Sequence, residues 1–181
     1  MNKIKLDNVK SFGFPMPVVL VGAIVAEKPT FMTAAWITRV ESTPPLIAVA
    51  LANHYTNTGI QEKKEFSINI PGDSIVSKVD HCGTTSGRLT DKASVFRIFN
   101  GNLDSAPMIE ECSVSLECVL YKTIQILKHT IFIGEVKGIY SEEKYITENK
   151  LDDNKIRALL VTMPENNYHI LGEKVGDAWN L

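Results

Sequence analysis

Met32-Thr33-Ala34-Ala35-Trp36-Ile37-Thr38 sets small side chains and hydroxyls around one tryptophan, and the reading of this stretch decides the fold. Fifteen residues on, Asn53-His54-Tyr55-Thr56-Asn57-Thr58-Gly59-Ile60 puts an amide, an imidazole and hydroxyls where a helix should begin. The first stretch reads as a strand from Thr33 to Val40. Alternation then sends Thr33, Ala35 and Ile37 to one side and Ala34, Trp36 and Thr38 to the other. Small side chains at Ala34 and Ala35 let a planar ring approach the main chain, whose N–H and C=O groups can pair with the ring's own donors and acceptors. The plainer meaning of this segment alone is a barrel strand with a core tryptophan.

The second stretch has the chemistry of a phosphate cradle. A helix start gathers unpaired N–H groups and a positive dipole end. Thr56 and Thr58 add hydroxyls, and His54 can donate from either ring nitrogen. Here too a plainer alternative stands, a capped helix following a strand, because such caps are common. Together, the two stretches outline a flat ring along strand backbone with a phosphate tail at a helix start, which is a flavin mononucleotide (FMN) site in outline.

Working outward, the other segments read mostly as strands. Val18 to Ala26 is a continuous apolar run, as for a strand covered on both faces. Leu46 to Ala52 follows the stiff pair Pro44-Pro45. Phe66 to Ile70 alternates; Val114 to Leu127 and His129 to Ile139 are long candidates, and Ala158 to Met163 closes the series. Helical signals are few: Thr56 or Thr58 capping a helix through about Lys64, and Asp73 or Ser74 capping one that ends near Gly83. The pattern predicts a mainly β fold, a closed barrel with short peripheral helices, in one domain spanning residues 1–181. An α/β sheet is the alternative.

Bulk properties narrow the function. A chain of 181 residues with 44% hydrophobic and 22% charged residues buries a real core. Its formal net charge of −2 argues against nucleic acid or anionic lipid as a partner. Cys82, Cys112 and Cys118 form no CxxC pair. Cys112 and Cys118, read on one strand, stand about 20 Å apart at roughly 3.3 Å per residue, too far for a disulfide. Such cysteines suit a reducing cytoplasm. Lys3, Lys5 and Lys10 before Val18–Ala26 have a secretory look, but Asp7, Pro15, Pro17 and the β-branched content favour a strand. No apolar run reaches the roughly 18 residues of a membrane helix.

One more loop is rich in chemistry: His81-Cys82-Gly83-Thr84-Thr85-Ser86-Gly87-Arg88-Leu89-Thr90-Asp91-Lys92. Its glycines, hydroxyls and cations suit folding around a phosphate. His81-Cys82 has no second pair at zinc spacing and no HExxH helix accompanies it, so no metal is expected. No partnering base marks Cys82 as a nucleophile. His129, at a strand start, reads either as a solvent-facing residue or as one at a pocket mouth.

These pieces, in this order, resemble the flavin reductase-like family of FMN-binding split barrels, and its flavoredoxin branch in particular. The likeness runs from Pro15 to Trp179. It is carried by Pro15-Met16-Pro17-Val18-Val19-Leu20-Val21, Met32-Thr33-Ala34-Ala35-Trp36, Pro44-Pro45-Leu46-Ile47-Ala48-Val49, His54-Tyr55-Thr56 and Glu65-Phe66-Ser67-Ile68-Asn69-Ile70-Pro71. It continues in Cys82-Gly83-Thr84-Thr85-Ser86-Gly87 with Asp91-Lys92, in His129 to Val136, and in Tyr168 to Gly176.

The resemblance implies a six-stranded split barrel that forms a homodimer with FMN at or near the subunit interface. Met32, Thr33, Ala34, Ala35, Trp36, Ile37 and Thr38 would lie along the isoalloxazine. Leu51, Ala52, Asn53, His54, Thr56 and Thr58 would hold ribityl and phosphate. Ser86, Gly87 and Lys92 would close the site, Lys92 toward the phosphate. His129 falls where relatives that use nicotinamide have a histidine near the reacting edge.

The chain departs from the pattern in three places: Thr30-Phe31 where many relatives carry asparagine, Ala52-Asn53 where a cation often stands, and Ala93 for an aromatic. The implied activity is FMN-dependent electron transfer from NAD(P)H to free flavin, ferric chelate or a protein acceptor. The competing class is an electron carrier without its own nicotinamide chemistry, and no GxGxxG after a strand offers a separate dinucleotide fold. A third is a split barrel that has lost its cofactor.

Overall fold

The chain does not run straight from Thr33 to Val40. In the computed structural model, which describes residues 2–5, 7, 8 and 13–178, that stretch divides at Ala35-Trp36. Lys10 and Trp179, used in the sequence reading, lie outside the described residues. We number the principal strands β1 (Val19–Val25), β2 (Lys28–Ala34), β3 (Ile37–Ser42), β4 (Pro45–Ala52), β5 (Glu65–Ile70), β6 (Val114–Ile126) and β7 (His129–Ser141). They form one antiparallel sheet in the order β2-β1-β5-β6-β7-β4-β3.

The two edges of this sheet, β2 and β3, are therefore consecutive in the chain. Ala35-Trp36 joins them, with Ile37 N–H donating to the Ala35 carbonyl at 3.1 Å and Ala50 N–H to the Trp36 carbonyl at 2.8 Å. The sheet curls until its edges meet in covalent backbone, which closes a barrel without a ladder across the seam. The fold is the expected mainly β split barrel, with seven strands rather than six in its main sheet. A ribbon of Met16–Pro17, Leu159–Thr162 and Asn167–Ile170 lies beside it.

Two apolar clusters sit on either side of β1. Val19, Val21 and Ala23 point into the barrel with Met32, Ala34, Val49, Leu51, Phe66, Ile68, Cys118 and Phe132. Val18 and Leu20 face outward onto Phe31, Val79, Cys82 and Ile109. That is why the Val18–Ala26 run is apolar throughout: period-two alternation gives each face its own core.

The first helix, α1 (Tyr55–Lys63), starts at His54, whose backbone is extended and whose side chain makes no capping bond. The expected hydroxyl caps are absent: Thr56 and Thr58 lie inside the helix. It packs on β1 through Gly59, where a Cβ would stand 2.4 Å from the Ile24 carbonyl oxygen. It ends at Lys64 in the left-handed conformation, whose N–H returns to the Ile60 carbonyl at 3.1 Å.

The second helix, α2 (Val76–Thr84), follows a single 3-10 turn, Asp73–Ile75, that contains both of its expected caps. Cys112 lies in the turn ahead of β6 rather than on that strand, and all three cysteines are free and buried. No helix among the described residues is long and apolar enough to cross a membrane.

Candidate functional site

The seam and the first turn of α1 lie near one another because β4 links them. Trp36 hydrogen-bonds along β4 through Ala50, and β4 ends at Ala52 just before His54. Across the ladder β7 places His129 opposite Ala52, Ile131 opposite Ala50 and Ile133 opposite Ala48. Alternation puts these six side chains on the face away from the barrel core, so a floor of alanines runs beside an aliphatic row. Trp36 is 48% exposed, so the core tryptophan anticipated as the plainer reading is not found. Its indole lies against the His129 imidazole, with ring centroids 4.8 Å apart and planes 33° apart.

His54 draws three basic side chains into one cluster, since the charges of both Lys92 and His129 act on its ring. Lys92 is 4% exposed, and its Nζ donates to the Cys82 carbonyl at 2.7 Å. Among the described residues, no carboxylate forms an ion pair with Lys92, His54 or His129. Asp91 is committed elsewhere, its Oδ1 accepting from Ala93 N–H at 3.0 Å. Burial lowers the pKa of the Lys92 ammonium. Burial also lowers that of His54, and the charges on Lys92 and His129 add to the effect. A buried cation that acts on a neighbouring imidazole and has no ion-pair partner is costly unless an anion joins them.

The loop that leads into Lys92 is tightly made. Leu89 and Thr90 N–H both donate to the Ser86 carbonyl at 3.0 Å, and Arg88 N–H donates to Ser86 Oγ at 3.3 Å. Gly87 fits where a Cβ would stand 2.8 Å from Thr30 Oγ1 and 3.2 Å from the Tyr55 ring. The Arg88 guanidinium covers that ring at 4.9 Å. The loop borders a cavity of about 370 Å³ whose lining includes Lys28, Tyr55, Gly87, Arg88, Asp91 and Lys92.

The sequence-derived residues thus divide. Trp36, His54, Lys92 and His129 belong to the cluster or touch it, and Gly87 lies in the loop before Lys92. Met32, Ala34 and Leu51 have their side chains in the barrel core, and Thr56 is buried too. Ala35 and Ile37 are half-buried at the seam, and Thr38 is exposed beyond it. Thr33 Oγ1 donates to the Val79 carbonyl of α2 at 2.5 Å. Ala52, Asn53 and Thr58 line a separate cavity of about 590 Å³ on the other flank of α1. Arg88 stood in the sequence only as one of the loop's two cations, and Tyr55 was assigned no role. Tyr55 stood inside the quoted His-Tyr-Thr element, but nothing in the sequence showed that Arg88 would cover it.

The chain matches the flavin reductase like domain over residues 11–158, and it belongs to that family. Flavoredoxin from Methanosarcina acetivorans superposes with a TM-score of 0.95 at 41% identity, covering 99% of this chain and 97% of that one. Flavoredoxin of Desulfovibrio vulgaris (Miyazaki F) superposes at 0.91 with 31% identity, covering 98% of each chain. An uncharacterised protein of Archaeoglobus fulgidus is 31% identical over 132 residues, which is 71% of this chain and 74% of its own length.

Proposed function

We propose that the chain binds FMN and acts as an oxidoreductase of the flavin reductase type, passing electrons from NAD(P)H to free flavin, ferric chelate or a protein acceptor. The carrying observation is the uncompensated basic cluster of Lys92, His54 and His129 beside the first turn of α1. A phosphate dianion is the group such a cluster accepts, through charge-assisted hydrogen bonds. The alanine floor of β4 and the Trp36 indole give a flat ring a surface of matching shape. FMN, when bound, supplies reversible electron transfer at its isoalloxazine. The protein binds and orients it, and no protein nucleophile is needed. Three buried free thiols with raised pKa values suit a reducing cytoplasm.

One observation favours the second reading, an electron carrier of the flavoredoxin kind. The Trp36 indole rests on the His129 ring, where a nicotinamide would have to approach. Anaerobic mixing of flavin-loaded protein with NADH or NADPH decides between them. Bleaching within seconds supports the reductase, and persistent yellow with a chemically reducible flavin supports the carrier. Protein that stays colourless on adding FMN overturns both.

The chain is further proposed to dimerise through the sheet face bearing Trp36, Ile124, Ile126 and Ile131. Ile124 and Ile126 are 37% and 48% exposed, and they sit across the ladder from Ile131 and His129. A contiguous apolar face of this kind on a folded subunit marks an interface.

A further inference from the structure

Past the ribbon beside α2 the chain becomes an arm. Its last strand, Asn167–Ile170, is anchored: Ile170 lies opposite Leu159 in the ladder, and Tyr168 Oη donates to Asp80 Oδ1 of α2 at 3.3 Å. Both side chains pack on the outer apolar cluster. Residues 171–178 are all exposed, Leu171 by 54% and Val175 by 101%. A Cβ at Gly172 or Gly176 would meet nothing within 4 Å. Lys174 pairs with Asp177 inside the arm, and among the described residues Glu173 has no cation.

The arm is patterned. In an extended segment side chains alternate, so Leu171, Glu173, Val175 and Asp177 share one face, which reads apolar, acid, apolar, acid. Such a face fits an apolar surface flanked by cations. The loop that leads into Lys92 has one: Leu89 is 89% exposed, and Lys28 and Arg88, which border the same cavity, are exposed too. Neither cation forms an ion pair among the described residues. Eight extended residues reach up to roughly 26 Å, far enough to cross between subunits.

We propose that residues 171–178 cross to a second copy of this chain and lie along Lys28, Arg88 and Leu89 of that copy, covering the mouth of its Lys92 cavity. The arm's apolar side chains meet Leu89, and Glu173 meets the two cations. The inference rests on the reading that the chain dimerises. A second copy is the occupant because arm and rim are both uncovered on one subunit, and a two-fold pairing covers both at once, arm to rim and rim to arm.

The test is sedimentation of the wild type, then cross-linking of full-length Leu89→Cys/Val175→Cys with a short bis-maleimide at micromolar concentration. Both positions are exposed, so the double variant folds, and the three native thiols are buried. The double variant should run as a linked dimer on a denaturing gel, and each single variant as a monomer. FMN should leave the linked dimer at least tenfold more slowly than the unlinked one. A wild type that sediments as a monomer sinks the dimer and the inference with it. A wild-type dimer whose double variant stays unlinked, or links only within one chain, overturns the inference alone. So does equal linking by a single variant, or by Leu127→Cys/Val175→Cys, which would seat the arm on the hairpin tip. Unchanged FMN release from the linked dimer overturns the covering of the cavity. The cross-link reads the arm even if the chain takes up no FMN.

Discussion

β1 and the outer half of the β6–β7 hairpin belong to one sheet yet are built for opposite surroundings. Six of the seven residues of β1 are buried, whereas β6 is exposed from Tyr121 through Ile126. The reason lies in the ladder. β5 pairs with β6 only as far as Glu65 opposite Val119, Leu120 N–H still donates to the Lys64 carbonyl at 2.8 Å, and beyond it β6 pairs with β7 alone. The outer half nonetheless carries Ile124 and Ile126. An inner strand with apolar residues on both faces makes a core; an outlying hairpin with exposed apolar residues offers the face on which the proposed dimer would close.

The largest expected effect tests that contrast directly. Ile68→Ala in β5, where the residue is 1% exposed, should destabilise the protein by about 2–5 kcal/mol, the usual cost of a large-to-small core change. Ile124→Ala should cost the isolated subunit below about 0.5 kcal/mol, as surface changes do. Ile124→Glu should instead shift sedimentation from dimer to monomer. Equal losses of denaturation midpoint for the two alanine variants, with no change of mass in the glutamate variant, would erase the distinction.

Next in size is the buried cation. Lys92→Met removes a charge that has no acid partner, so the apoprotein should be at least as stable as wild type by urea denaturation. FMN affinity should fall by about 1.5–3 kcal/mol, the range for hydrogen bonds to charged groups. Riboflavin, lacking the phosphate, should bind both proteins alike. A variant that loses stability but keeps FMN would make Lys92 a structural tether to the Cys82 carbonyl and nothing more.

Trp36 sharpens the comparison at the seam, where inner and outer halves meet. Trp36→Ala uncovers the His129 ring while leaving Ala34 and the core untouched. The anaerobic rate of flavin bleaching by NADH should rise about tenfold, roughly 1.4 kcal/mol of barrier. An unchanged rate removes the indole as an obstacle to nicotinamide.

Most of the strands were legible in the sequence, since Val18–Ala26 and Phe66–Ile70 report their burial through apolar periodicity. The division at Ala35-Trp36 was not. Both halves of that stretch favour strand, and only the long-range pairing of β2 with β1 and β3 with β4 shows that they sit on opposite edges. At the site, the chemistry of His54 and Lys92 was visible as residue types. The proximity of His54 to His129 depends on the β4–β7 register, which no local pattern records.

The smallest effect concerns protons. The folded-state pKa of His54 is lowered, chiefly by burial, below the ordinary imidazole value near 6.5. Between the folded and unfolded values the unfolded chain binds the proton more tightly, so stability falls as pH drops through that window. A bound phosphate dianion favours the imidazolium and opposes the loss. The Tm of apoprotein should therefore fall more steeply below pH 6.5 than that of FMN-loaded protein, and His54→Gln should flatten the apoprotein's slope. Parallel slopes for the two forms, with His54→Gln changing neither, would place His54 away from the phosphate and leave Lys92 to hold it.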